Sequence, residues 1–84
     1  MSYLLLMCRS LTYAQRTARS LERVGISGYI QKSPQNASSR GCGYCVKIRE
    51  YHLSGAKRAL EADGLLPERI LLPMEDGSFR EVAV

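Results

Sequence analysis

Two amphipathic helix patterns, each placed between short β-rich segments, constrain the fold of this chain more than any other feature. The first follows the apolar run "YLLLMC" and repeats apolar residues every three or four positions from Leu11 to Leu21, with Ser10 in place to cap it. The second starts near Leu53, where Ser54 is the candidate cap, and ends at Gly64. In a chain of 84 residues, both helices are expected to belong to one domain, residues 1–84.

The β-rich segments complete the order of elements. The run "YLLLMC" predicts a first strand, "ISGYIQKS" a second, the alternation from Tyr44 to Arg49 a third, and "PERILLPM" a fourth. The end of the chain, "EDGSFREVAV", adds a turn at Asp76-Gly77 and an extra edge strand. The order β-α-β-β-α-β predicts an α+β fold of the ferredoxin-like, split βαβ type, an antiparallel sheet with both helices on one face.

Charge and composition exclude several classes of function. The net charge of +4 is spread along the chain without a run of like charges, which is typical of a solvated surface. Four tyrosines on strands or at their ends are candidate stacking platforms for bases: Tyr3, Tyr29, Tyr44 and Tyr51. The aromatic-basic sequence pattern of RRM domains is absent, however, so a nucleic-acid partner is not expected. The apolar amino-terminal run is too short for a membrane span or a signal peptide, and a cytoplasmic protein without membrane contact is expected.

The stretch "GCGYC" at residues 41–45 holds two of the three cysteines. An odd number of cysteines without an export signal favours reduced thiols over structural disulfides. A zinc site would need Cys8 and His52 in addition to Cys42 and Cys45. Strands one and three are expected to run parallel, which would separate Cys8 from Cys42 by the length of a strand, roughly 17 to 20 Å. No cofactor and no metal site within one chain are therefore expected, and a metal ion at a dimer interface is kept as a minor alternative.

Two chemical interpretations of the pair remain open beside plain packing. The Cys-x-x-Cys spacing of Cys42 and Cys45 is that of thiol-disulfide redox proteins, although here the pair enters a strand and not a helix. Alternatively, Cys42 is one exposed reactive thiol. Gly41 and Gly43 remove side-chain bulk on both sides of it, and the cations nearest in sequence favour a thiolate. The residues assigned to binding in this interpretation are Ser38, Ser39, Arg40, Gly41 and Gly43. Buried packing alone accounts for Cys8 and is an alternative for Cys45.

The tyrosine-led strand and first helix "YLLLMCRSLTYAQRTARSLERVGI", followed by a serine pair and "CGYCVKI", resemble the small selenium/sulfur carrier-like proteins of the DUF3343 family. The resemblance extends from Tyr3 to about Pro73. It implies that Cys42 holds sulfur or selenium as a persulfide or perselenide, and that the protein is a carrier more than a stand-alone enzyme. A cysteine desulfurase-type donor and an acceptor protein are the implied partners.

Two other functional classes are kept beside the carrier. One is the Cys42-Cys45 redox couple, and the other is a small regulatory module that binds a protein through an edge of its sheet, with the cysteines incidental. Because the core of so short a chain is thin, a homodimer joined through the edge "REVAV" is a reasonable expectation.

Overall fold

The computed structural model describes residues 2–34 and 43–84, and it contains five strands and two α-helices in these ranges. The strands are β1 (Tyr3–Cys8), β2 (Tyr29–Lys32), β3 (Tyr44–Arg49), β4 (Arg69–Pro73) and β5 (Phe79–Val82), and the helices are α1 (Leu11–Glu22) and α2 (Leu53–Ala62). The sheet order is β2-β3-β1-β4-β5, with every neighbouring pair antiparallel. The predicted ferredoxin-like α+β fold is confirmed, with β5 as the predicted extra strand at one edge.

Local sequence signals explain where α1 begins and ends. Ser10 is extended, and its hydroxyl accepts a hydrogen bond from the backbone N–H of Tyr13 at 3.1 Å. At the other end, Gly25 has a φ of +80°, a conformation that glycine adopts without steric cost. The N–H of the next residue, Ile26, returns to the carbonyl of Leu21 at 3.0 Å and closes the helix end.

The start of α2 differs from the prediction. A single 3₁₀ turn, Glu50–His52, leads directly from β3 into the helix, so the N-cap position belongs to His52 and makes no side-chain capping bond. Ser54 is already inside the first turn and is not the cap. The predicted end at Gly64, with a φ of +69°, is correct.

The orientation of β1 and β3 corrects a second expectation. The two central strands were expected to run parallel, but they pair antiparallel, with Cys8 opposite Tyr44 and Met7 opposite Cys45. Because the intervening segments reverse the chain an odd number of times, the end of β1 meets the beginning of β3. Cys8 and Cys45 therefore lie at the same end of the sheet.

The two faces of the sheet carry separate apolar clusters. On the face covered by α1 and α2, strand and helix side chains form the larger cluster: Leu4, Leu6, Cys8, Ala14, Leu21, Ile26, Val46, Ile48, Ala56, Leu60 and Ile70. The opposite, open face holds a smaller cluster from strands alone: Leu5, Met7, Cys45 and Leu71, with Phe79 packed against it. Alternation along each strand divides the residues between these faces, as the period of two requires.

Helix α1 approaches the sheet closely at Gly28, just before β2. A Cβ atom at this position would lie 2.7 Å from Cγ1 of Val46 and 3.2 Å from Cδ1 of Leu21. Both neighbours are completely buried. Glycine is therefore required at this point by the space available and not by a turn.

Neither α1 nor α2, the helices of the described ranges, has the length and apolar character needed to cross a bilayer.

Candidate thiol site

Most residues of the predicted site lie outside the described ranges. Ser38, Ser39, Arg40, Gly41 and Cys42 all fall within residues 35–42, and the assignment of reactive thiol and binding residues to them stays a prediction. Gly43 and Cys45 are described, and so are the strands that lead into and out of this segment.

The β2–β3 pairing brings together the described residues that precede and follow residues 35–42. Lys32 pairs with Tyr44, and beyond that pair the N–H of Ser33 donates to the carbonyl of Gly43 at 3.1 Å. In sequence, Cys42 is therefore the neighbour of Gly43, the residue that makes this outermost described hydrogen bond between the two segments. Among the residues that the structure describes, none has a heavy atom within 4 Å of the position that a Cβ atom at Gly43 would take.

Cys45 is two residues into the described part of β3 and is completely buried. Its side chain points to the open face of the sheet and packs in the cluster with Leu5, Met7 and Leu71. This burial raises the pKa of the Cys45 thiol, because desolvation disfavours the thiolate. The thiol is therefore neutral at neutral pH and is a poor nucleophile in the folded chain.

Two polar side chains beside Cys45 were not identified from the sequence. Ser33 and Gln31 oppose the rise in the pKa of Cys45, since their polar hydrogens favour the thiolate. The Ser33 hydroxyl oxygen is buried and has no hydrogen-bond partner among the described residues. The signal for Gln31 was the β2–β3 register, which places it directly opposite Cys45. That register was not available from the residue pattern of either strand alone.

Cys8 has a structural environment on the other face of the sheet. It is completely buried, its Sγ lies 3.5 Å from the carbonyl of Leu6, and the hydroxyl of Thr17 on α1 is 3.9 Å away. The prediction that Cys8 serves in packing is confirmed. Cys8 and Cys45 are both reduced thiols.

The antiparallel pairing also changes the argument about metal ions. The separation by a strand length no longer applies, because Cys8 and the start of β3 lie at one end of the sheet. Instead, Cys8 and Cys45 are kept apart by facing opposite sides. Within residues 2–34 and 43–84, no three histidine, cysteine or carboxylate side chains are grouped as they would be to hold a metal ion.

A shallow concavity of about 580 Å³ lies on the open face of the sheet, and its lining includes Gln31, the residue opposite Cys45. Its apolar wall includes Leu5, Pro73 and Phe79, and its polar rim includes Gln31 and Lys47. Pro34, the last described residue before the segment that contains Cys42, also lines it. The described part of the chain after β2 therefore ends beside the open face of the sheet.

The fold and the sequence define a class: a small ferredoxin-like α+β protein whose Cys-x-x-Cys sequence runs into its third strand. The chain belongs to the family described as "putative Se/S carrier protein-like", whose model matches residues 3–72. No curated protein and no solved structure gives a significant match.

Proposed function

We propose that this protein carries sulfur or selenium on Cys42 as a persulfide or perselenide, receiving it from a cysteine desulfurase-type donor and passing it to an acceptor protein. Membership of the selenium/sulfur carrier-like family is the observation that carries the proposal. The proposal places the protein in the cytoplasm, where the donor and reduced thiols occur.

The transfer is a thiol exchange without net oxidation. The Cys42 thiolate attacks the terminal sulfur of the donor's persulfide, a new S–S bond forms on Cys42, and the donor's cysteine thiolate leaves. The acceptor's thiolate repeats the same step on the loaded carrier. The equivalent exchange with selenium uses the terminal selenium atom.

The described neighbours of Cys42 support this division of roles. No described residue fills the space that a side chain at Gly43 would take, which suits transfer between two proteins. Cys45 is buried, and its pKa is raised, so it does not compete for loading in the folded protein. We assign Cys45 to a reserve role, in which exposure of its thiol would allow it to attack the Cys42 persulfide, close a Cys42-Cys45 disulfide and release sulfide.

The test is intact-mass analysis after incubation with a cysteine desulfurase and free cysteine, followed by peptide mapping. We expect one additional sulfur atom on Cys42, removable by a thiol reductant. Cys42→Ser should not load, whereas Cys8→Ser and Cys45→Ala, as matched controls, should load like the natural chain. Equal loading of the Cys42→Ser variant would contradict the assignment.

The same experiment separates the redox alternative. A protein that gains no sulfur and loses only two hydrogens across Cys42 and Cys45 would be a thiol-disulfide couple, and titration against glutathione would then give its potential.

A further inference from the structure

A second surface lies at the end of β3 opposite to Cys45. It is a cavity of about 240 Å³ whose lining includes three tyrosines, two cations and a histidine: Tyr3, Tyr29, Tyr51, Lys47, Arg49 and His52. We call these six residues the aromatic-basic surface. The remaining lining residues, Gly25, Ser27 and Ile48, are uncharged. No carboxylate belongs to this described lining, so its charge is positive.

Sheet pairing assembles this surface from separate parts of the chain. Tyr29 on β2 lies opposite Lys47 on β3, and Tyr3 on β1 lies opposite Arg49 on β3. Tyr51 follows β3 in the 3₁₀ turn. Aromatic rings and cations therefore alternate across three neighbouring elements.

Contacts within the surface hold the cations beside the rings. The Lys47 Nζ lies 4.3 Å from the centroid of the Tyr3 ring, and the Arg49 Cζ lies 5.4 Å from the same centroid. The ion pairs of Arg9, Arg23 and Arg69 do not involve Lys47. The ammonium group remains available to an external anion.

The outer tyrosines are exposed to an extent that packing does not explain. Tyr29 is 63% exposed and Tyr51 is 70% exposed. By contrast, Tyr44 points to the other face of the sheet and packs against the main core. The Tyr51 ring is also supported from one side by His52, at 4.4 Å between ring centroids. Supported, solvent-facing rings next to cations are a stacking platform.

We propose that the aromatic-basic surface binds single-stranded nucleic acid, with bases stacked on Tyr29 and Tyr51 and a backbone phosphate held by Lys47. The chemistry favours this ligand over an acidic peptide, because carboxylate side chains would use the cations and leave both rings unpaired. It favours a single strand over a duplex, because only unpaired bases expose their faces for stacking. The sequence argued against this partner, since the contributing residues are scattered and match no linear motif. The proposal is independent of carrier chemistry on Cys42.

The test begins with fluorescence anisotropy of a labelled uridine dodecamer, titrated with the full chain at several salt concentrations. Lys47→Gln should weaken binding and lower the slope of log affinity against log salt by about 0.7, the contribution of one phosphate contact on a single strand. Arg16→Gln removes the same charge from α1, on the helix side of the sheet, and is the matched control. It should leave the affinity nearly unchanged.

The stacking component is tested at Tyr29. Tyr29→Ala should weaken binding about tenfold with an unchanged salt slope, while Tyr29→Phe, which keeps a ring, should retain affinity. Circular dichroism of each variant verifies the fold, which an exposed position leaves intact.

Several results would overturn the proposal. These are the absence of binding to the dodecamer, an equal loss of affinity in Lys47→Gln and Arg16→Gln, and tighter binding of a duplex of the same length. Competition by polyglutamate as strong as that by unlabelled RNA would identify a general polyanion site. Saturating competition by uridine monophosphate would identify a mononucleotide pocket instead.

Discussion

The two faces of the sheet differ in how much apolar surface they bury. The covered face packs α1 and α2 on an apolar surface that extends across the central strands, with Leu6 and Ile70 almost completely buried. The open face buries only a few strand side chains and places Tyr3, Lys47 and Arg49 beside them. Stability is therefore concentrated on one side, and the groups suited to contact with partners are concentrated on the other.

The largest expected effect is the loss of unfolding free energy in Leu6→Ala, which is compared with the loss in Leu5→Ala. Leu6→Ala removes a side chain that is 1% exposed from the larger cluster and should cost about 3 kcal/mol of unfolding free energy, since helices and strands cannot collapse fully into the cavity. Leu5→Ala, on the open face, should cost less, because water and neighbouring side chains can fill the space. Urea unfolding measures both. Equal losses would show that the two faces contribute equally to stability.

The next largest change in stability is expected from substitutions at Gly28 and Gly55, which test how tightly the helices pack on the sheet. Gly28→Ala should cost about 2 kcal/mol, because the new methyl group would lie 2.7 Å from the buried Val46 side chain. Gly55→Ala is the control: its methyl group would lie 3.4 Å from Ile26, and alanine favours the helix by about 1 kcal/mol. Thermal unfolding should therefore shift in opposite directions for the two variants. A neutral Gly28→Ala would mean that the helix layer adjusts easily.

The smallest effect concerns the turn between β4 and β5, beside the open face. Hydrogen bonds from the Ser78 hydroxyl and N–H lower the pKa of the Asp76 carboxyl. This carboxylate therefore stabilises the fold above its unfolded pKa, and that contribution is lost as the pH falls through its lower, folded pKa.

Thermal unfolding at about pH 7 and about pH 3 measures this contribution, because the interval spans the ordinary aspartate pKa. Ser78→Ala should lose slightly less stability between these pH values than the natural chain. Identical acid profiles would show that the turn does not contribute measurably.

Much of the covered side could be predicted from the sequence, because local signals determine it. The spacing of apolar residues predicted α1, Ser10 marked its start, and the alternation from Tyr44 marked β3. The start of α2 was predicted wrongly since the 3₁₀ turn at Glu50–His52 has no distinctive residue pattern. The relative direction of β1 and β3 was also wrong, and only the pairing itself corrects it.

The site was less predictable for a related reason. The Cys-x-x-Cys spacing drew attention to Cys45, but burial depends on strands that are distant in sequence, and it was the structure that placed Cys45 against Met7 and Leu71. The aromatic-basic surface depends in the same way on pairings across three elements. Short-range spacing carries no information about such neighbours.

The edges of the sheet affect the concentration that this protein can reach before its molecules aggregate. The edge strands are only four residues long, β2 carries Lys32, and β5 carries Arg80 and Glu81. Short, charged edges discourage strands of different molecules from joining into larger sheets. Under the proposed function each molecule holds one atom at a time, so the rate of delivery would rise with the number of copies. Edges of this kind allow a small protein to accumulate without aggregating.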